Sequence, residues 1–170
     1  MRTRFAVFIA ASVDGYIAGP DGGLDWLKPF EGQEHGYTAF YESVDAVVIG
    51  RGTYDVVLTF PGWAYGKKRV IVCTRRPASP SHGEEITREE PRALAERLDR
   101  EGVRRVYVDG GALIRSFLRE GLVHEMTISV IPVILGAGIP LFADGLPERR
   151  LRLIDARTYA SGLVQLRYTL

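Results

Sequence analysis

The chain of 170 residues has one cysteine, three histidines and two methionines. A lone thiol excludes an internal disulfide, and Cys73, set in Val-Ile-Val-Cys-Thr, reads as a small buried hydrophobe, not an activated nucleophile. His35, His82 and His124 show no metal-ligand grouping, so no metal is expected. Charge of one sign is also scarce. With 22 Lys and Arg against 21 Asp and Glu the net charge is +1, which removes the broad field that draws a protein to nucleic acid or an anionic membrane. Neither is expected as a partner, and any anion must be held by locally placed groups. The longest apolar region, Ile128 to Ala143, is broken by Pro132 and Pro140 and is too short to span a bilayer. Two arginines precede the apolar N-terminal stretch, as in a secretory leader. That stretch runs straight into Ser12-Val13-Asp14-Gly15 without a small-residue cleavage region, so the expectation is the first strand of a cytoplasmic protein. Internal repeats, low-complexity tracts and long linkers are missing too, and one domain over residues 1–170 is expected.

What is present alternates in character. Arg4 to Val13 is apolar or small at nearly every position, the pattern of a strand covered on both faces, and Asp14-Gly15 supplies the turn that ends it. A glycine-rich loop then carries Leu24 to Leu27 beside that strand. Tyr37, Phe40, Tyr41 and Val44 recur at helical spacing ahead of a second strand, Ala46 to Ile49. A short helix is expected from Gly52 or Thr53, a third strand over Arg69 to Cys73, and a very short edge strand at Glu85-Ile86. Thr87 to Glu90 has capping-box spacing and predicts a helix over 89–100 with Pro91 in its first turn. After the strand Arg105 to Val108, Gly110-Gly111 leads into an amphipathic helix that stops at Gly121. Met126 to Val130, Leu151 to Tyr159 and Leu163 to Leu170 then read as strands with no helix between them, the last two paired through Ser161-Gly162. The sum is an α/β fold: a mixed, mostly parallel sheet ending in an antiparallel hairpin, with helices on its faces.

Chemistry is suggested where strands meet helices. In Val-Val-Ile-Gly-Arg-Gly-Thr-Tyr the chain passes from strand to helix through Gly50 and Gly52, leaving backbone N–H groups free, with Arg51 adding a forked cation and Thr53 a hydroxyl. Asp109-Gly110-Gly111-Ala112 repeats the arrangement. In an open α/β sheet both junctions belong at the carboxyl edge, where they could face the phosphates of one ligand. Thr74, Arg75 and Arg76 lie beyond a third strand end, and a cationic group there suits a ribose 2′-phosphate, so NADPH is expected before NADH. Each feature has a plainer reading, as a tight turn, a close helix contact or a solvated loop. Neither glycine segment satisfies G-x-G-x-x-G.

The segments IAASVDGYIAG, WL, VVIGRGTYD, VCTRRP and VDGGALI, followed by GLVHE and IPVILGAGIPLF, together resemble the dihydrofolate reductase-like superfamily over nearly the whole chain. The likeness is greatest to the branch related to the C-terminal reductase domain of bifunctional riboflavin-biosynthesis deaminase-reductases. It implies a three-layer α/β/α domain with NADPH across the carboxyl edge. Gly50, Arg51, Gly52, Thr53, Gly110, Gly111 and Ala112 would flank the pyrophosphate; Thr74, Arg75 and Arg76 would meet the adenosine phosphate; Ala10, Ala11 and Ile17 would face the nicotinamide. Asp109 matches the acidic residue of the riboflavin-type enzymes, whereas Phe8 falls where they usually carry a lysine. Asp25, Trp26 and Asp109 would line the substrate side, and Asp109, Glu31 and Glu34 are the acids nearest to a proton-donor position. Tyr37 and Tyr41 suit helix packing or a pocket wall. The implied activity is NADPH-dependent hydride transfer to a small heterocyclic, C=N or carbonyl substrate, as in 5-amino-6-(5-phosphoribosylamino)uracil reductase. Dihydrofolate reduction and a non-catalytic NADPH-binding sensor are the alternatives. A homodimer is expected through the segment Met126 to Leu135 and the terminal strands.

Overall fold

The computed structural model describes residues 2–170. Along the chain lie β1 (Arg4–Ser12), β2 (Tyr16–Ala18), a 3₁₀ helix (Asp25–Phe30), α1 (Tyr37–Glu42), β3 (Ala46–Gly50), α2 (Arg51–Val57), β4 (Arg69–Cys73) and β5 (Glu85–Thr87). They are followed by α3 (Pro91–Arg100), β6 (Arg105–Asp109), α4 (Gly111–Arg119), β7 (Val123–Ile131), β8 (Ile139–Pro140), β9 (Arg152–Thr158) and β10 (Val164–Thr169). Eight strands form one sheet in the order β5-β4-β3-β6-β1-β7-β10-β9. The first six are parallel; β10 runs antiparallel to β7 and pairs with β9 as a hairpin.

The continuous apolar runs of the inner strands are explained by helices on both faces. On one face Phe5, Val7, Val48, Ile71, Val106 and Val108 pack against Leu94 and Leu98 of α3 and Ile114 and Phe117 of α4. On the other, Val47, Ile49, Val70, Val72 and Tyr107 meet Tyr54 and Val57 of α2, with Phe40 and Tyr41 of α1 at the margin. The result is a three-layer arrangement with the sheet in the middle. No helix among the described residues is long and apolar enough to cross a membrane.

Several local expectations change. The Asp25–Phe30 segment is a 3₁₀ helix and not an open loop, and α2 begins at Arg51, before Gly52. Thr87 does not cap α3: it ends β5, and its hydroxyl donates to Glu89, while Pro91 takes the first helical position after Glu90. β7 is longer than expected and lies inside the sheet between β1 and β10, so Met126 and Ile131 are buried instead of offering a surface to a second copy. The exposed large apolar side chains near that end are Ile134, Ile139, Phe142, Leu151, Leu153 and Ile154. The small β2–β8 pair has no clear signal in the sequence.

The long connection after β4 is fastened to α2. Tyr54, buried, donates its hydroxyl to the buried carboxylate of Glu84, which also accepts the Ser81 and His82 N–H groups at 2.8 and 2.7 Å. Burial alone would raise the Glu84 pKa, but these donors hold it down at about 2. Its ionised form therefore stabilises the fold above the ordinary glutamate range, and that contribution is lost as pH falls toward 2. Tyr54→Phe is expected to destabilise the protein by about 1–2 kcal/mol at neutral pH through loss of a charged hydrogen bond, read by denaturant unfolding. An unchanged midpoint would show that the backbone donors alone hold the loop.

Candidate active site

The carboxyl edge is set by register. Gly50 is level with Cys73 of β4, and Ile49 is level with Asp109 of β6, so the ends of β4, β3 and β6 stand side by side. β1 behaves differently. It pairs with β6 only as far as Ala6 opposite Tyr107, yet follows β7 through to Ser12 opposite Ile131. Beyond Tyr107 the two central strands part, and a crevice opens between the carboxyl halves of β1 and β6. The Tyr107 hydroxyl bridges its root, donating to the Phe8 carbonyl at 3.0 Å.

The two glycine junctions meet beside this crevice. A Cβ on Gly110 would lie 2.4 Å from Thr53 Oγ1 and 3.7 Å from the Gly50 nitrogen, and one on Gly50 would lie 3.5 Å from Leu113 Cβ. Gly110 also has φ +97°, a conformation that strongly favours glycine. The sequence places glycines where the starts of α2 and α4 must touch. Gly111 is buried: its Cβ would fall 2.9 Å from both Ile17 and an Arg115 Nη atom. Ile17 thus lies against the second glycine, whereas Gly52 and Ala112 are open to solvent. Arg115 carries a cation to this corner and donates to the Pro140 carbonyl; it was missed because it sits on the helix, one turn past the glycines.

The cationic residues are already partnered. Arg51 donates to Asp55 and to the Pro77 carbonyl, both at 2.7 Å, and Arg76 reaches the other oxygen of Asp55 at 3.3 Å. Arg51 and Arg76 therefore flank one carboxylate. Arg75, largely exposed, points elsewhere and pairs with Glu90. Thr74 is buried and exchanges hydrogen bonds with the backbone of Arg76, fixing the turn.

A cavity of about 380 Å³ opens next to Phe8, Ile9 and Ala10, closed by Leu27 and Phe30 of the 3₁₀ helix, Tyr37 and Thr38 of α1, and Ile131. Ala11 faces away into the core. Of the expected substrate residues, Asp25 is turned to solvent and paired with Lys28 at 2.7 Å, and Trp26 does not line the cavity, its indole N–H being buried without a partner. Leu27 and Phe30 take that place because the 3₁₀ turn rotates its later residues inward. Glu31 and Glu34 lie at the rim. Glu34, however, accepts from the Thr38 hydroxyl at 2.9 Å and the Gly36 N–H at 2.6 Å, which lowers its pKa, ties it to the start of α1 and makes it a poor acid.

Asp109 has the opposite environment. Burial pushes its pKa up to about 6, against the Gly110 N–H donating at 2.8 Å and the nearby Tyr107 hydroxyl. Around it stand Tyr37, Tyr65 and Tyr107, all shifted upward by burial and by the facing carboxylate, Tyr37 to about 12. The phenols stay neutral, and Asp109, half-buried and outside the lining of the 380 Å³ cavity, is an acid whose surroundings favour its protonated form. Cys73, at the β4 end, is pushed up to about 12 by burial and is an inert thiol.

The chain is similar to known proteins. Residues 5–165 match the RibD C-terminal domain family. The chain is 40% identical to the uncharacterized protein YwjB of Bacillus subtilis (strain 168), covering 99% of this chain and 98% of that protein. It is 29% identical to the riboflavin biosynthesis protein RibD of Corynebacterium ammoniagenes over 85% of this chain but only 48% of that protein. Among solved structures, a "Putative riboflavin biosynthesis protein" from Shewanella sp. PV-4 superposes with a TM-score of 0.91 at 34% identity, covering 98% of both chains. The Thermotoga maritima diaminohydroxyphosphoribosylaminopyrimidine deaminase/5-amino-6-(5-phosphoribosylamino)uracil reductase shares the fold at a TM-score of 0.72 and 16% identity, over 99% of this chain and 56% of that one.

Two consequences can be measured. Gly110→Ala is expected to cost about 1–3 kcal/mol from backbone strain and the clash with Thr53, with part recovered in the Gly110→Ala, Thr53→Ala double variant. Full recovery would mean that the backbone there is unstrained. Because the folded pKa of Asp109 lies above its ordinary value of 3.8, the folded state favours the protonated acid, and this contribution is lost as pH rises from about 4 through 6. Asp109→Asn is thus expected to raise the melting temperature at pH 8, with a gain that fades below pH 5; a pH-independent effect would contradict the raised pKa.

Proposed function

The chain belongs to the RibD C-terminal domain family, and from that membership we propose that it is an NADPH-dependent reductase acting on a small heterocyclic substrate, of the kind reduced in riboflavin biosynthesis. The observation that carries this reading is the convergence of the Gly50–Thr53 and Gly110–Gly111 junctions, which touch through Gly110 and Thr53, beside the crevice between β1 and β6. Such a cradle fits a dinucleotide: close-approaching glycines for a diphosphate, with guanidinium groups at the flank.

Gly50, Arg51, Gly52, Thr53, Gly110, Gly111 and Ala112 would hold the diphosphate, and Ile17 with Ala10 would border the nicotinamide, Ala11 being turned into the core. Thr74 fixes the turn that carries Arg75 and Arg76, and Arg76 beside Arg51 is the better placed of the two for a 2′-phosphate, since Arg75 pairs with Glu90. When bound, NADPH supplies a hydride. The chain's own part is to position the substrate ring in the cavity against Phe8 and Ala10, to exclude water with Leu27, Phe30 and Ile131, and to hold a proton on Asp109. Asp109 lies behind Tyr37, which lines the cavity, and would serve as general acid to a substrate that reaches past it. Its neutral neighbours Tyr37 and Tyr107 keep the site poorly solvated, and so keep the acid protonated near pH 6. Phe8 gives β1 an aromatic wall in place of a cation, so an anionic substrate must find its counter-charge elsewhere.

NADPH oxidation followed at 340 nm with aminouracil and pterin substrates tests the activity; tight NADPH binding with no turnover on any of them would favour the sensor reading. Arg76→Ala is expected to weaken NADPH binding by about 1–3 kcal/mol while leaving NADH nearly unchanged, and Arg75→Ala to have the smaller effect. Equal losses for both cofactors would remove the 2′-phosphate assignment. Asp109→Asn is expected to lower kcat by about 10²–10⁴ with little change in NADPH affinity. A kcat that stays high would move the proton donor to another group.

A further inference from the structure

Of the arginines at the carboxyl edge, Arg51, Arg75 and Arg76 are each paired with a carboxylate. Arg115 is not. Its hydrogen-bond partner among the described residues is the Pro140 carbonyl, and the charged neighbour that bears on it is a second cation, Arg119.

The setting disfavours a cation in two further ways. Arg115 is half-buried, and burial, followed by Arg119, lowers its pKa. Its guanidinium also folds back over Gly111, the first residue of α4, where unpaired N–H groups already carry partial positive charge. A latch between α4 and β8 needs only a donor to the Pro140 carbonyl, which a neutral amide could supply. The charge itself calls for a separate reason.

Its position supplies one. Gly110 faces Thr53 and Gly50, whereas Gly111 faces Ile17. The Ile17 Cδ1 and Arg115 Nη1 atoms each fall 2.9 Å from the point where a Gly111 Cβ would stand, so at most twice that distance separates them. The unpaired charge thus stands at the Ile17 end of the cradle, away from the Gly50–Thr53 end.

We propose that Arg115 sets the redox-state preference of the cofactor site, its charge disfavouring the oxidised, cationic nicotinamide beside Ile17 relative to the reduced, neutral ring. This rests on the NADPH reading above. Both forms carry the same phosphates, so the other arginines attract them alike, and only a charge near the ring tells them apart. Two unit charges about 8 Å apart shift such an equilibrium about twofold in water and about thirtyfold at the effective dielectric of a protein surface. The same repulsion opposes hydride departure, so Arg115 does not accelerate the transfer; it speeds clearance of spent NADP⁺ and leaves the cradle to fresh NADPH.

The test compares dissociation constants of NADPH, NADP⁺ and 2′-phospho-ADP-ribose, which has every phosphate but no nicotinamide, by calorimetry on the whole protein. The unaltered protein is expected to bind NADPH more tightly than NADP⁺; equal affinities overturn the proposal without any variant. In Arg115→Gln, which can still donate to Pro140, the NADPH preference should fall by about threefold or more, as removal of a unit charge requires. Arg115→Lys should keep it, and Arg119→Gln, one turn further on, should leave it unchanged. A preference that survives in Arg115→Gln, or is lost equally in Arg115→Lys, reduces Arg115 to a latch and overturns the proposal. If all three ligands weaken together in Arg115→Gln with the preference intact, Arg115 is a phosphate contact, and this inference fails while the cofactor reading stands. If none of the three binds the unaltered protein, the cofactor reading fails and this inference with it.

Discussion

The structure turns on the parting of two neighbouring strands. β1 and β6 are held together by backbone hydrogen bonds only up to Ala6 and Tyr107; beyond that point β6 remains with β3 and β1 with β7. Backbone polar groups exposed in this way are costly unless something answers them. Tyr107 answers one, at Phe8. The rest of the edge is built around the gap: small residues at Ala10 and Ala11, glycines where α2 and α4 begin, and the one acid whose surroundings favour its proton. The crevice, the glycine cradle and Asp109 are consequences of a single choice about which strand follows which.

Electrostatics at the edge divide into two regimes. On the β3–β4 side charges are exposed and paired, as Arg51 and Arg76 share Asp55, and such pairs contribute little to stability while keeping the guanidinium groups aimed. On the β6 side the environment is aromatic and partly closed to water, so a single half-buried carboxylate there shifts its own titration and that of the surrounding phenols. One edge thus offers fixed positive charge at one end and a movable proton at the other.

Much of this was legible in the sequence, for a physical reason. Inner strands buried on both faces spell out uninterrupted apolar runs, and glycines required by close approach or positive φ leave a mark that does not depend on context, as at Gly50 and Gly110. What stayed hidden depends on rotation and tertiary pairing. The sequence alone does not say that a 3₁₀ turn would send Leu27 and Phe30 inward and leave Asp25 outside, that Glu34 would be tied to the start of α1, or that Arg51 and not Arg75 would stand beside Arg76.

The two sides of the site are also not equally fastened. On the β7 side Asp14 accepts from Ser12, from Leu135 and from Gly136, at 2.6, 3.1 and 2.7 Å, and Val13 donates to the Val133 carbonyl, so the two loops there are bolted into one block. The facing rim, the 3₁₀ turn from Asp25 to Phe30, buries none of its residues and has no side-chain cap. With fewer ties to give up, the Asp25–Phe30 turn is the wall that would yield to a wider guest at the least cost.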